Sequence, residues 1–427
     1  MSSMKIIPTH LLRKISIPVV VLLLCTRVNA QVTTRLSLTD VMKRIEQVYP
    51  DIKKYQSKIQ SLQAKTEGAK AWMPPTVSVG LSRFPYDPSM LKEEGPMNQA
   101  GIMIAVEQMI PNSGKLSAKK DYLQSLTHIQ SDNLEWTKNI LRHQGKYFFY
   151  EIVMNEKKLR VVAENRELLT LLISTSKNKY PYDQSELSTI FKAKAKLEEL
   201  RNMETMILSS IAESSIGLNT LMNRDVSTVF SVDTTITFSG SERPLTSIDT
   251  LINRRSDLLA MQDEIASMRY NREYMNSFSK PDFGIRLEHM QMFGMPSEYS
   301  IMGMITIPIV PWSAGMYTSD VRSMEYEIEA MTREQESMKL MAKRMLSEKS
   351  TMLSFEQTRL QNYENGILPA YKEVFESGLL AYRQNTGNFF VLLDAWEMLL
   401  MKKMEYYDVY LKALHLQADY EYEIEQQ

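Results

Sequence analysis

Thr76-Val77-Ser78-Val79-Gly80-Leu81-Ser82-Arg83-Phe84 puts Val77, Val79 and Leu81 on one side of an extended chain and Thr76, Ser78, Gly80 and Ser82 on the other. Three further stretches alternate in the same way. Over 100–107, Ile102, Ile104 and Val106 oppose Gly101, Met103, Ala105 and Glu107. Over 283–288, Phe283, Ile285 and Leu287 oppose Gly284, Arg286 and Glu288. Over 299–307, Ile301, Ile305 and Ile307 oppose Met302, Met304 and Thr306. Successive side chains of a strand point to opposite faces of its sheet. Four strands, at 76–84, 100–107, 283–288 and 299–307, therefore suit a wall between oil and water. The same pattern also suits two hairpins packed on a soluble core.

The rest of the chain bears on that choice. Its 427 residues allow two or three ordinary domains, and a net charge of −1 leaves no footprint for nucleic acid. Glycine and proline are sparse, 15 and 16, which favours long regular elements over loops. Residues 1–30 read as a signal peptide: Lys5, Arg13 and Lys14, then a largely apolar Ile15 to Cys25, then Val28-Asn29-Ala30 as a cleavage site. The one cysteine, Cys25, falls inside that segment, so the mature chain would form no disulfide. Cys25 could accept a lipid, although Leu24 stands where a lipoprotein signal wants a small residue. Beyond residue 30 no stretch approaches the ~18 apolar residues of a membrane helix.

The mature sequence is written twice. Tyr49-Pro50-Asp51 and Arg255-Ser256-Asp257 open matching helices; Pro75 and Pro281 precede the first and third strands; Ile110-Pro111-Asn112-Ser113-Gly114 and Val310-Pro311-Trp312-Ser313 follow the second and fourth. Tyr180 and Ala193 are spaced as Tyr382 and Ala395 are. The expected organisation is a first unit over 31–225, a polar linker over 226–250 and a second unit over 251–427. Each unit reads helix, strand, strand, long helix, tip, helix. From Lys115 to about Thr175 no proline occurs, only Gly145 interrupts, and apolar residues recur at steps of mostly three, four and seven. That is the coiled-coil pattern, and about sixty residues at 1.5 Å each make a rod on the order of 90 Å. A second rod is expected from Ser313 to about Glu376, with return helices over 185–221 and 388–421.

Four strands cannot close a barrel, and an open edge is not tolerated in a bilayer. Two copies would give eight strands and three copies twelve. Small residues on the polar face (Ser78, Gly80, Ser82, Gly101, Ala105) favour an open lumen and hence three copies. The fold expected is mainly α with a β-barrel part: long antiparallel coiled-coil hairpins plus four transmembrane strands per chain.

This layout resembles the TolC-type outer-membrane efflux family over about Leu36 to Glu421. The resemblance rests on Leu38-Thr39 at the first helix, Asp51 and Asp257, Pro75 and Pro281, Ile110-Pro-Asn-Ser-Gly-Lys115, and Tyr382 with Leu393-Asp394-Ala395 on the second tip. It implies a homotrimeric α/β barrel in the outer membrane of a Gram-negative bacterium, extending into the periplasm. Its partners would be outer-membrane lipid, a periplasmic adaptor (membrane fusion protein) and an inner-membrane efflux pump. The chain would conduct exported substrates passively, with no cofactor and no catalysis.

Each helical tip needs a residue that tolerates left-handed geometry. Where the family has glycine, this chain has Asp183 and Asn385, the next best residue types. The resemblance implies a tunnel entrance at Tyr382, Asn385 and Asp394, with Tyr180 and Asp183 on the first tip. Asp394 would occur three times around one ring, and carboxylate rings favour cations. Read on their own, Asp394 is equally a solvated helix carboxylate and Tyr382 a residue packed between hairpins. An acidic residue and an arginine that family members can carry nearby are here Val391 and Gly387.

Thirty methionines exceed ordinary use, and several cluster near the strands, as in His289-Met290-Gln291-Met292. Thioethers suit Cu(I) and Ag(I), which a branch of the family exports; they also fill irregular helical gaps. No residue is assigned as a metal ligand. A soluble periplasmic coiled-coil scaffold or adaptor is the alternative. An enzyme is disfavoured, since His128, His143, His289 and His415 are far apart in sequence and no phosphate loop or nucleophile elbow occurs.

Overall fold

The computed structural model describes residues 35–95, 98–179, 187–240 and 247–425. The signal segment 1–30 with Cys25, the tip residues Tyr180 and Asp183, and part of the expected linker lie outside the described residues.

The helices are α1 (Leu38–Val48), α2 (Pro50–Glu67), α3 (Ser113–Lys179), α4 (Leu187–Leu221), α5 (Ile248–Ile252), α6 (Ser256–Asn276), α7 (Pro311–Asn362), α8 (Leu368–Arg383) and α9 (Phe389–Glu423). The strands are β1 (Arg35–Leu36), β2 (Thr76–Ser82), β3 (Gly101–Ile110), β4 (Ser231–Val232), β5 (Phe283–Met292) and β6 (Glu298–Ile305). With 67 residues, α3 spans about 100 Å, and α4 and α9, with 35 each, run beside it. None of these helices is long and apolar enough to cross a membrane.

The long helices pair through seams of apolar residues. Midway along α3, nearer the strands than the tip cluster, Phe149, Val153 and Met154 are buried with Val41, Ile45 and Ile52 of α1 and α2, Leu218 of α4 and Leu414 of α9. Burying each such side chain is worth about 1.5–3 kcal/mol before entropic costs. Gly145, the one interruption in the helical pattern, is where α1 crosses α3. A Cβ there would lie 2.7 Å from Met42 Cε and 2.8 Å from Ile45 Cδ1. Toward the tips, Val162 and Leu169 of α3 pack with Leu200 of α4 and Leu392 and Trp396 of α9.

The second rod departs from expectation. It is interrupted by a π-turn, Tyr363–Ile367, and ends at Arg383 instead of near Glu376. Pro369 causes the interruption: it has no N–H to give the Asn365 carbonyl, so the backbone before it widens by one residue. Two reciprocal bonds tie the turn to α9. Tyr363 Oη donates to Glu405 at 2.9 Å and Tyr406 Oη to Glu364 at 2.8 Å.

The four long strands form one antiparallel sheet in the order β2-β3-β5-β6, in which Val106 lies opposite both Val77 and Leu287, and their ends differ from those expected. β2 stops at Ser82, not 84, because Arg83 turns to φ +51°. β3 runs from Gly101 to Ile110 rather than ending at 107, because its last residues pair with Phe283 to Ile285. β5 continues past 288 to Met292 along the same partner. β6 covers 298–305, not 299–307; Thr306 already gives its N–H to the Asp282 carbonyl at 3.0 Å.

After a turn at 226–227, residues 228–240 run along the helices. Ser231 and Val232 pair in parallel with Arg35 and Leu36, and Val232, Phe230, Ile236 and Phe238 pack on the core.

Candidate functional site

The register of the sheet sorts its two faces. Val77, Val106, Leu287 and Ile301 form one row across all four strands, and Val79, Ile104, His289 and Tyr299 the next. These side chains cover nothing else in the chain: Val79 is 70% exposed and Ile301 68%. The opposite face carries Thr76, Glu107, Arg286 and Met302 in one row and Ser78, Ala105, Glu288 and Ser300 in the next. Arg286 pairs with Glu288 there at 3.0 Å. The outer edges of β2 and β6 have no strand partner among the described residues.

A clamp joins this sheet to the helices. The Asp282 carboxylate accepts from the Asn112 N–H at 2.9 Å and pairs with Lys115 Nζ at 2.7 Å. Asn112 in turn accepts from the Gly114 N–H at 2.9 Å. The Ile-Pro-Asn-Ser-Gly-Lys stretch is therefore a strand-to-helix corner that holds both halves of the chain together. Sequence reading found Asn112 and Lys115 but not their partner. Asp282 follows the noted Pro281, and nothing in its local pattern reveals a contact some 170 residues away.

At the second tip, Asn385 takes φ +59°, and the N–H groups of Thr386 and Gly387 return to the Ala381 carbonyl at 3.0 and 3.1 Å. These bonds close α8, and a short amide side chain tolerates the left-handed position at little cost. Asn388 caps α9 by accepting from the Val391 N–H at 2.9 Å. Tyr382 is buried, with its ring 5.6 Å from that of Phe389, against residues of α3, α4 and α9. Asp394, on the first turns of α9, is exposed and has no ion pair among the described residues. Tyr382 and Asp394 thus sit at one end of the rods but face different surroundings. Below them Trp396 Nε1 donates to Asn165 Oδ1 at 3.0 Å, a buried bond from α9 to α3 that the periodicity of either helix does not reveal.

Charged side chains are threaded through the strand-proximal half of the bundle. Arg255 bonds Glu423 and Asp257. His143 and His415, which are far apart in sequence, meet here. His143 bonds Asp419 at 2.7 Å, and His415 stacks on Tyr147 with centroids 3.6 Å apart. Burial pushes the His415 imidazole down to about 4, so it is neutral at pH 7. Asp132, on α3, is pushed up to about 6 by burial and by the neighbouring Asp263 of α6. No group of three or more His, Cys, Asp or Glu side chains among the described residues is placed to hold a metal ion.

No protein-family model matches the chain, and no curated protein matches it in sequence. Solved structures do. The outer-membrane channel OprN aligns with TM-score 0.75 at 13% identity, covering 91% of this chain and 89% of the other. The outer membrane protein VceC from Vibrio cholerae aligns with TM-score 0.73 at 13% identity over 91% and 95%. The outer membrane channel CmeC from Campylobacter jejuni aligns with TM-score 0.74 at 12% identity over 91% and 85%. Identities this low speak for the fold alone, and that fold is the one of the TolC-type outer-membrane channels that the sequence resembles.

Proposed function

We propose that three copies of this chain form a passive duct through the outer membrane of a Gram-negative bacterium. Each would contribute four strands to a twelve-stranded barrel and its helical hairpins to a periplasmic tunnel. The observation that carries this reading is the sheet: one face mostly apolar and uncovered, the other largely polar, and both edges without a strand partner among the described residues. Such a sheet is stable in lipid only once neighbouring copies close it. The order helix, strand, strand, long helix, returning helix occurs on both sides of residues 226–250 and supports an internal duplication.

In this reading the outward face meets outer-membrane lipid. The tips meet a periplasmic adaptor and, through it or beside it, an inner-membrane pump that supplies the energy. Tyr382 and Asp394, with Asn385 shaping the turn, form the tunnel entrance: Tyr382 locks the hairpin and Asp394 presents a ring of three carboxylates. The cargo is a soft metal ion, Cu(I) or Ag(I), in keeping with the methionine content.

Planar-bilayer recording of the purified, detergent-extracted protein tests the reading. Discrete channels from a trimeric species are expected, with cation preference falling in Asp394→Asn and conductance rising in Tyr382→Phe combined with Asp394→Asn. A monomer extracted by salt alone, without conductance, would refute the duct and favour a periplasmic scaffold. Unchanged conductance in the variants would remove both residues from the entrance.

A further inference from the structure

The methionines of the sheet are sorted by face. Met103 and Met109 of β3, Met290 and Met292 of β5, and Met302 and Met304 of β6 all project from the polar face, and none shares the other face with the Ile, Val and Leu rows. A methionine serving only as another apolar filler belongs with those rows, because there it would be buried in oil. On the polar face it meets Ser, Gly, Glu and Arg instead.

Within this face the thioethers gather at two levels. Near the helices, Met109, Gly284 and Met304 are in register across three strands. A Cβ at Gly284 would lie 2.7 Å from Met109 Sδ and 2.9 Å from Met304 Cε, so the two side chains converge over the one residue that leaves them room. Near the loops, Met103 lies directly opposite Met290 and diagonal to Met292, whose own partner is Gly101. Cross-strand neighbours stand about 4.5–5.5 Å apart at Cβ, within reach of long side chains sharing one ion. Glu298, opposite Met290 on the next strand, adds negative charge. His289 projects to the opposite face, so no imidazole joins the set. Thioethers without imidazole or thiolate select soft monovalent cations over Zn(II).

We propose that the polar face carries two thioether stations for Cu(I) or Ag(I), Met109 with Met304 at the helix end and Met103 with Met290 and Met292 at the loop end. The proposal rests on the reading that this face lines a pore, where weak successive sites let an ion enter and leave. Silver needs no reductant and serves as the probe. Equilibrium dialysis of the full chain in detergent, in chloride-free buffer, should show about two silver ions per chain. Met103→Leu/Met290→Leu/Met292→Leu should lose one, and adding Met109→Leu/Met304→Leu should lose both. Leucine keeps the volume and the fold, which circular dichroism checks. Met338→Leu/Met341→Leu/Met345→Leu, on α7, should retain both. Wild-type protein that takes up no silver, or a five-site variant that binds as much as wild type, overturns the stations. Bilayer conductance of the same preparations separates the two readings: channels without silver uptake sink the stations alone, and silver uptake without channels sinks the duct.

Discussion

Trp396→Phe should loosen the tip half of the bundle selectively. Trp396 is 2% exposed and Asn165 8%, and the indole N–H is the donor that reaches Asn165 Oδ1 at 3.0 Å. Phenylalanine keeps most of the apolar contact and removes that donor. The smaller ring costs about 1 kcal/mol, and the acceptor left buried without a partner costs about 1–3 kcal/mol. The Asn165 amide stays bonded to the Val161 carbonyl at 2.8 Å, so the side chain is not free to swing out to water. The total is about 2–4 kcal/mol. If the tip opens locally, protection of its amides against hydrogen exchange should fall at least about 30-fold. Amides around Leu414, in the separate cluster nearer the strands, should be unaffected. Asn165→Leu placed on top of Trp396→Phe should recover about 1 kcal/mol or more, because no buried acceptor then remains. A fall below about threefold, an equal fall in both clusters, or no recovery in the double variant would refute the reasoning.

Arginine introduced on the two faces of β2 should have opposite consequences. Val79→Arg places charge on the lipid side, costs about 2–4 kcal/mol in mid-membrane and should abolish the detergent-stable oligomer seen by size-exclusion chromatography, whereas Ser78→Arg should leave it intact. Asn385→Gly should be neutral or slightly stabilising in thermal unfolding, because the backbone is already left-handed, while Asn385→Val should cost about 1–2 kcal/mol. Asp132 has its folded pKa raised to about 6, so the folded chain binds this proton more tightly than the unfolded one. The stability it contributes is present below pH 4 and is lost as pH rises through 6. Asp263 and Glu425 reinforce that direction, and His128 opposes it. Chemical denaturation from pH 4 to 7 should show this decline, and Asp132→Asn should flatten it.

What could be read in the sequence was whatever repeats locally. The alternation of Val77, Val79 and Leu81, the steps of three, four and seven along α3, and the left-handed residue at Asn385 are each set within a few positions. Strand ends depended on neighbours. β3 reaches Ile110 only because Phe283 is across from it, and β5 reaches Met292 only because Gly101 is. A single hairpin cannot reveal that a second one extends it. The Asp282 clamp and the Trp396–Asn165 bond were illegible for the same reason: each joins elements far apart in the chain, and no period marks a single polar contact. The separation of His143 from His415 in sequence likewise concealed their meeting around Asp419. Pro369 sits within an otherwise regular apolar spacing, and that regularity conceals the interruption it causes.

The π-turn ahead of that proline has a consequence for register. Leu346, Leu353 and Leu360 are buried at steps of seven, and Tyr382 lies twenty-two residues beyond Leu360, one more than three sevens. The widened turn absorbs the surplus residue. Deleting any one residue between Tyr363 and Ile367 would leave twenty-one, so the turn would close to ordinary α-helix with Tyr382 still against Phe389. Held in a regular α-helical turn instead, the same surplus residue would rotate everything beyond it by about 100° and swing Tyr382 toward water.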